Sequence, residues 1–139
     1  MKINNHIRLI YFSQSLPSLS KTDIENILLE SRQNNEKINV SGILCFGGSD
    51  FIQVLEGEES TVISLYAKIL KDTRHQSCQL LDIHFAGSRL FEKWSMGFVE
   101  RSKADFEKLH LILNQSKKSN KLASSEITTL LKTYLGSNQ

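Results

Sequence analysis

The chain has 139 residues, 40% hydrophobic and 23% charged, which suits one ordinary soluble domain able to bury its own core. Lys and Arg number 17 against 15 Asp and Glu, and the resulting charge of +2 is too small to argue for a nucleic-acid or anionic-membrane partner. No run approaches the roughly 18 apolar residues of a membrane span, Met1–Arg8 lacks a signal-peptide core, and Cys45 and Cys78 show no metal-ligand spacing. A cytoplasmic protein without a metal site is the expectation.

His6 to Ser13 reads as a strand, with Ile7, Leu9 and Tyr11 on one face and Arg8, Ile10 and Phe12 on the other. After the loop at Pro17, Ser20 with Asp23 three residues on forms a helix-start signature. Ile24, Ile27 and Leu28 continue at helical spacing, and Asn34-Asn35 falls where that helix is expected to end. Val40 to Phe46 and Phe51 to Glu56 form a predicted hairpin around Gly47-Gly48-Ser49-Asp50. Glu58 and Glu59 then favour the positive end of a second helix, whose stripe is Val62, Leu65, Tyr66, Ile69 and Leu70. Leu80 to Ala86 and Met96 to Val99 read as strands, with Trp94 in the loop before the second. Beyond Lys103 come helix candidates at Phe106–Leu113 and Ser125–Leu135, with Ser116 to Asn120 as a linker.

The order β-α-β-β-α-β predicts an α+β, ferredoxin-like sheet with an added fifth strand, two helices on one face and a helical tail. Right-handed crossovers put the first and third strands side by side, so Tyr11 and Gln53 lie on neighbours and in phase with the apolar residues under the helices. Each needs a hydrogen-bond partner if buried. On periodicity alone a structural network is the better reading of that pair. Lys68, Arg74 and His75 are placed to meet an anionic ligand and Asp72 to accept from a donor, but they equally describe a solvated helix end. Asn34 and Asn35 either cap a helix or present amides to a heterocycle edge. No glycine-rich phosphate loop and no nucleophile motif occurs.

Taken together, Arg8-Leu-Ile-Tyr11-Phe-Ser13, Asn34-Asn35, Ser41-Gly-Ile-Leu44, Phe51-Ile-Gln53-Val-Leu-Glu-Gly57, Asp72-Thr-Arg-His75 and Phe91-Glu-Lys-Trp94-Ser-Met96 resemble the BLUF family of blue-light sensors. The resemblance runs in order from about His6 to Val99 and is to the short, stand-alone kind. It implies a bound flavin, FAD or the shorter FMN or riboflavin, and a photosensor rather than an enzyme. It further implies that Tyr11 donates an electron and proton, and that Gln53, between Tyr11 and the ring, rearranges its hydrogen bonds. Asn34 and Asn35 would hold ring carbonyls. Lys68, Asp72, Arg74 and His75 would line the ring edge and the exit of its tail, with Lys68 where the family often has Arg. Trp94 and Met96 would pass the signal on by their packing near Gln53. The physical chemistry agrees: a flat ring suits a slot lined by Ile27, Ile69 and Phe51 with amides at its edge.

The expected division is a flavin-binding photosensor at 6–100 and a helical extension at 101–139. The tail's Phe106, Leu109, Leu113, Ile127, Leu130 and Leu131 need cover, which suggests a downstream protein partner or self-association. Two readings compete with the sensor: a small flavin-dependent redox enzyme or phosphatase, for which no acid/base pair is evident, and a cofactor-free regulatory module.

Overall fold

The computed structural model describes residues 5–119. Its elements are β1 (His6–Ser15), α1 (Lys21–Lys37), β2 (Ser41–Gly47), β3 (Asp50–Glu58), α2 (Glu59–Leu70), β4 (His75–Phe85), β5 (Gly97–Arg101) and α3 (Lys103–Ser119). The strands form one sheet in the order β4-β1-β3-β2-β5. Neighbours are antiparallel except for β2 and β5, which run parallel. The fold is therefore the expected α+β, ferredoxin-like sheet: β1 and β3 pair at its centre, and β5 extends the β2 edge.

The central strands are apolar at both parities, so both faces of the sheet need cover. On one face Ile7, Leu9, Tyr11, Leu44, Phe51 and Leu55 pack with Leu28 and Ile27 of α1 and with Val62, Leu65 and Ile69 of α2. On the other, Ile10, Phe12, Ile43, Ile52 and Val54 pack with Phe106, Leu109 and Leu113 of α3. The cover that these three tail residues require thus comes from the chain's own sheet, which corrects their assignment to a partner surface. The expected boundary at 100/101 falls on the last residue of β5, and α3 shares the core of the preceding strands. α3 also runs through Ser119, so Ser116 to Ser119 belong to a helix and not to a linker. The second tail candidate, 125–135, lies outside the described residues, as do Ile127, Leu130 and Leu131.

Local signals explain most boundaries. Ser20 Oγ accepts from Asp23 N at 3.1 Å and Asp23 Oδ2 from Ser20 N at 2.8 Å, a complete capping box that also holds the Asp23 carboxyl below its ordinary range. At its other end α1 runs past Asn34-Asn35. The left-handed residue that stops it is Asn39, at φ 57°, with Val40 N bonded to Asn35 O at 2.9 Å and Asn39 N to Glu36 O at 3.4 Å. The hairpin turns at Gly48, whose φ of 63° favours glycine. Gly47 is needed for a different reason, because a Cβ there would sit 2.4 Å from Phe106 Cβ. β4 begins five residues before Leu80. His75 to Gln79 are too polar to show an apolar alternation, and they become strand through pairing with the end of β1. Leu70 closes α2 half-exposed at 50%, outside the core stripe expected of it.

Because Phe106 fills the centre of the α3 layer at 2% exposure, Phe106→Ala is expected to cost about 3–5 kcal/mol of stability. Urea unfolding of the variant against the parent chain measures it.

Candidate functional site

Between α1, α2 and the sheet lies a cavity of about 210 Å³. The sheet contributes Tyr11, Phe51 and Gln53, α1 contributes Ile27, Asn34 and Asn35, and α2 with the turn after it contributes Lys68, Ile69, Asp72, Arg74 and His75. Every residue expected to contact a cofactor lines this one space. Glu30, Ser31, Leu44, Leu55 and Leu65 line it as well, and none of these five was expected to contact a cofactor.

Tyr11 and Gln53 are direct cross-strand partners, and both are buried. The Tyr11 hydroxyl donates to Gln53 Oε1 in a short hydrogen bond. Gln53 Nε2 in turn donates to Met96 Sδ at 3.4 Å. Burial pushes the Tyr11 phenol well above its ordinary pKa, and the neighbouring Cys78, Tyr66 and Asp72 push the same way. The hydroxyl is therefore a neutral donor throughout the physiological range. The Tyr66 ring lies 5.4 Å from that of Tyr11.

The groups after α2 are bound to one another. Arg74 grips Asp72 with Nε to Oδ1 at 3.0 Å and Nη2 to Oδ2 at 2.6 Å, and reaches Glu30 at 3.0 Å. This guanidinium holds the Asp72 carboxyl below the usual range. His75 places Nε2 2.7 Å from Ile69 O and Nδ1 2.8 Å from Ser13 Oγ. A carbonyl only accepts, so Nε2 carries a proton. Arg74 and His75 thus shape the cavity wall through internal bonds, where the sequence left open an anion-binding group or a solvated helix end. Lys68 stands exposed at the rim.

Asn34 is exposed and Asn35 is buried at 2%. Asn35 Nδ2 donates to Ser95 O at 2.9 Å, which explains why these asparagines do not end α1: the amide is committed to another segment instead of its own backbone. Trp94 and Met96 part company. Met96 is buried on Gln53, but Trp94 packs against the α3-side core, its ring 5.7 Å from that of Phe91. The expectation that both pack near Gln53 is corrected for Trp94, because the chain bends at Ser95 and Met96 before β5 begins and so does not keep the two residues on one face as a strand would.

A second polar cluster, on the opposite face, was not singled out from the sequence. Arg8 and Glu56 are 3% and 1% exposed and pair at 2.8 Å. Glu56 also accepts from Leu90 N and Phe91 N, each at 2.8 Å. Arg8 Nη2 donates to Ser88 O at 2.9 Å, and Nη1 lies 3.0 Å from His84 Nε2. His84 Nδ1 pairs closely with Asp82. A charged residue alternating with apolar ones in each strand was the available signal. Among the described residues, no group of three His, Cys, Asp or Glu is placed to hold a metal ion, and no helix is long and apolar enough to cross a membrane.

Apolar walls with a buried phenol, a buried carboxamide and a second amide at one edge suit a flat heterocycle with a polar rim. The residues present therefore fit a flavin ring, and the fold and site together define an α+β module that binds a small flat heterocycle. Comparison with known proteins names it. The family model of BLUF, sensors of blue-light using FAD, matches residues 7–97. The chain belongs to the BLUF family and senses blue light with a bound flavin. The solved structure of the BlsA photo-activated state aligns with a TM-score of 0.77 at 29% identity, over 96% of this chain and 97% of that one. The dark-state structure of BlrB, a BLUF protein, aligns at 0.71 and 26%, over 95% and 98%. The blue light- and temperature-regulated antirepressor BluF of Escherichia coli (strain K12) is 36% identical over 88 residues, 63% of this chain and 22% of that protein. The photoactivated adenylate cyclase subunit beta of Euglena longa is 30% identical over 115 residues, 80% of this chain and 13% of that protein. The chain thus spans less than a quarter of the length of these two curated relatives.

Glu56→Gln removes the charge that faces the buried Arg8 guanidinium at 2.8 Å while keeping the shape of its partner. The expected cost is about 3–5 kcal/mol, read by urea unfolding, with faster amide exchange at Leu90 and Phe91.

Proposed function

We propose that Tyr11 is the electron and proton donor of the light response, and that the Gln53 amide is the switch it throws. The buried chain Tyr11–Gln53–Met96 carries this reading. When bound, the flavin supplies the absorption of blue light and, once excited, a strong oxidant. Tyr11 is neutral and buried, and its hydroxyl proton already points at Gln53 Oε1. Gln53 presents an acceptor to Tyr11 and a donor to Met96. Turning the amide over exchanges these ends. Tyr11 then faces a donor, and Met96 Sδ faces an oxygen that cannot donate to it. Met96 therefore distinguishes the two orientations, and it stands at the entry to β5.

Asn34 and Asn35 would hold the ring's carbonyls, with Phe51, Ile27 and Ile69 on its faces. Lys68, Asp72, Arg74 and His75 would border the ring edge and the exit of its tail, which suits FAD and leaves FMN or riboflavin as shorter alternatives. The chain itself acts as a sensor and not as a catalyst. The relatives named above are an antirepressor and a cyclase subunit, so the same module serves different outputs. Here the output is contact with a separate protein partner or a further copy of the chain, in the cytoplasm, involving neither nucleic acid nor membrane.

The test is the blue-light difference spectrum of the flavin-loaded protein. Tyr11→Phe is expected to keep the flavin and lose the reversible red shift, since only the hydroxyl is removed. A normal photocycle in that variant would take Tyr11 out of the mechanism. Asn35→Ala is expected to weaken flavin retention by about 1–3 kcal/mol, the cost of a ring carbonyl left without its donor. Titration of the apoprotein with FAD measures it, and unchanged affinity would place Asn35 outside the flavin contacts.

A further inference from the structure

The bend that turns Met96 onto Gln53 is held from α1. Residues two apart in a regular strand share a face, yet Trp94 packs on the α3 side and Met96 on the α1/α2 side. The reversal occurs at Ser95 and Met96, immediately before β5. α1 takes the carbonyls of both residues: Asn35 Nδ2 donates to Ser95 O at 2.9 Å, and Arg32 Nε donates to Met96 O at 2.8 Å. Residues 32 and 35 are three apart and so lie on one side of the helix. Asn35 is also a wall of the cavity, whereas Arg32 stands outside the cavity lining with its side chain largely exposed.

We propose that Arg32 is a positioning residue for the light response, clamping the peptide after Met96 and coupling β5 to α1. A thioether is a weak acceptor, so the Gln53–Met96 contact cannot hold the bend by itself. A guanidinium on a carbonyl is a stronger, charge-assisted bond. It fixes the Met96–Gly97 peptide plane, and with that plane fixed the Met96 side chain leaves the backbone towards Gln53. The coupling rests on the reading that Gln53 turns over. When Gln53 Oε1 replaces Nε2 opposite the sulfur, the side-chain contact is lost while the Arg32 bond remains. Displacement of Met96 then pulls on α1, the helix that also forms one wall of the cavity. The signal would thereby leave by a helix as well as by the edge strand.

The experiment compares Arg32→Ala and Arg32→Lys with the parent chain, all loaded with FAD, by amide hydrogen exchange in the dark and under blue light. Arg32→Ala is expected to keep its flavin and its red shift. In the dark its exchange at Gly97 and Phe98 should rise about tenfold, the equivalent of about 1.4 kcal/mol. The light-minus-dark difference in α1 should disappear. Arg32→Lys retains a charged donor and should recover most of both effects, which a loss of packing alone would not produce. Parent-like dark exchange at Gly97 and Phe98 in Arg32→Ala would overturn the clamp, and a retained light-minus-dark difference in α1 would overturn the coupling. A parent chain with a red shift but no light-dependent change in α1 would also overturn the coupling and leave the Gln53 switch standing. A parent chain with no red shift would sink the Gln53 switch instead, and the dark comparison would still decide the clamp.

Discussion

The register of β1 on β3 sets both polar centres of the molecule at once. It pairs Tyr11 with Gln53 on the helix side and Arg8 with Glu56 on the α3 side. The side-chain period of a strand is two, so a slip by one residue would exchange the faces. Tyr11 would then leave the cavity and Arg8 would enter it. Seven consecutive buried residues in each of these strands make that slip expensive, because apolar side chains on both faces lose their partners together.

The Arg8–Glu56 pair gives the far side of the sheet a purpose beyond packing. Two charges in an apolar core are tolerated only when their hydrogen-bonding capacity is used. Here Glu56 meets Arg8 and two backbone amides, of Leu90 and Phe91. Those amides belong to the loop that leads to Trp94 and Met96. The loop is thus held on one side by a carboxylate from β3 and on the other by Arg32 and Asn35 from α1. Gly42 N adds a bond to Trp94 O at 3.0 Å. A segment anchored at both ends can respond to a change at its middle only by a small, defined displacement. That property suits a relay from a single amide.

α3 completes this arrangement from below. Its Phe106 lies over Gly47 at the hairpin, and the His110 ring stacks on Phe12 at 3.8 Å. Burial lowers the His110 pKa, which favours the neutral ring that a stacked position under a helix requires. Without this layer the α3-side faces of Phe12, Ile52 and Val54 would be open to water. The described part of the tail is therefore structural before it is anything else.

Hydrophobic periodicity, with the cap and turn signals, was enough to determine the element order and the phase of Tyr11 with Gln53, and the right-handed crossover rule then placed β1 beside β3. Periods of two and 3.6 are imposed locally by backbone geometry. Eleven of the residues lining the cavity were legible, most of them because they stand in family motifs and Ile27 and Ile69 because a flat ring needs apolar walls, and the tertiary structure brings all eleven to one space. What lay beyond the sequence was whatever depends on contacts between distant segments. The polar start of β4 becomes strand only by pairing with β1. Asn35 stays helical because Ser95, sixty residues away, takes its amide. Arg74 is engaged within the protein because Asp72 and Glu30 are both within reach of its fork. Trp94 and Met96 point to opposite faces because the chain bends twice before β5 begins, and those bends are held from α1. Local periodicity fixes which face a residue prefers, but only the folded chain decides which partner meets it there.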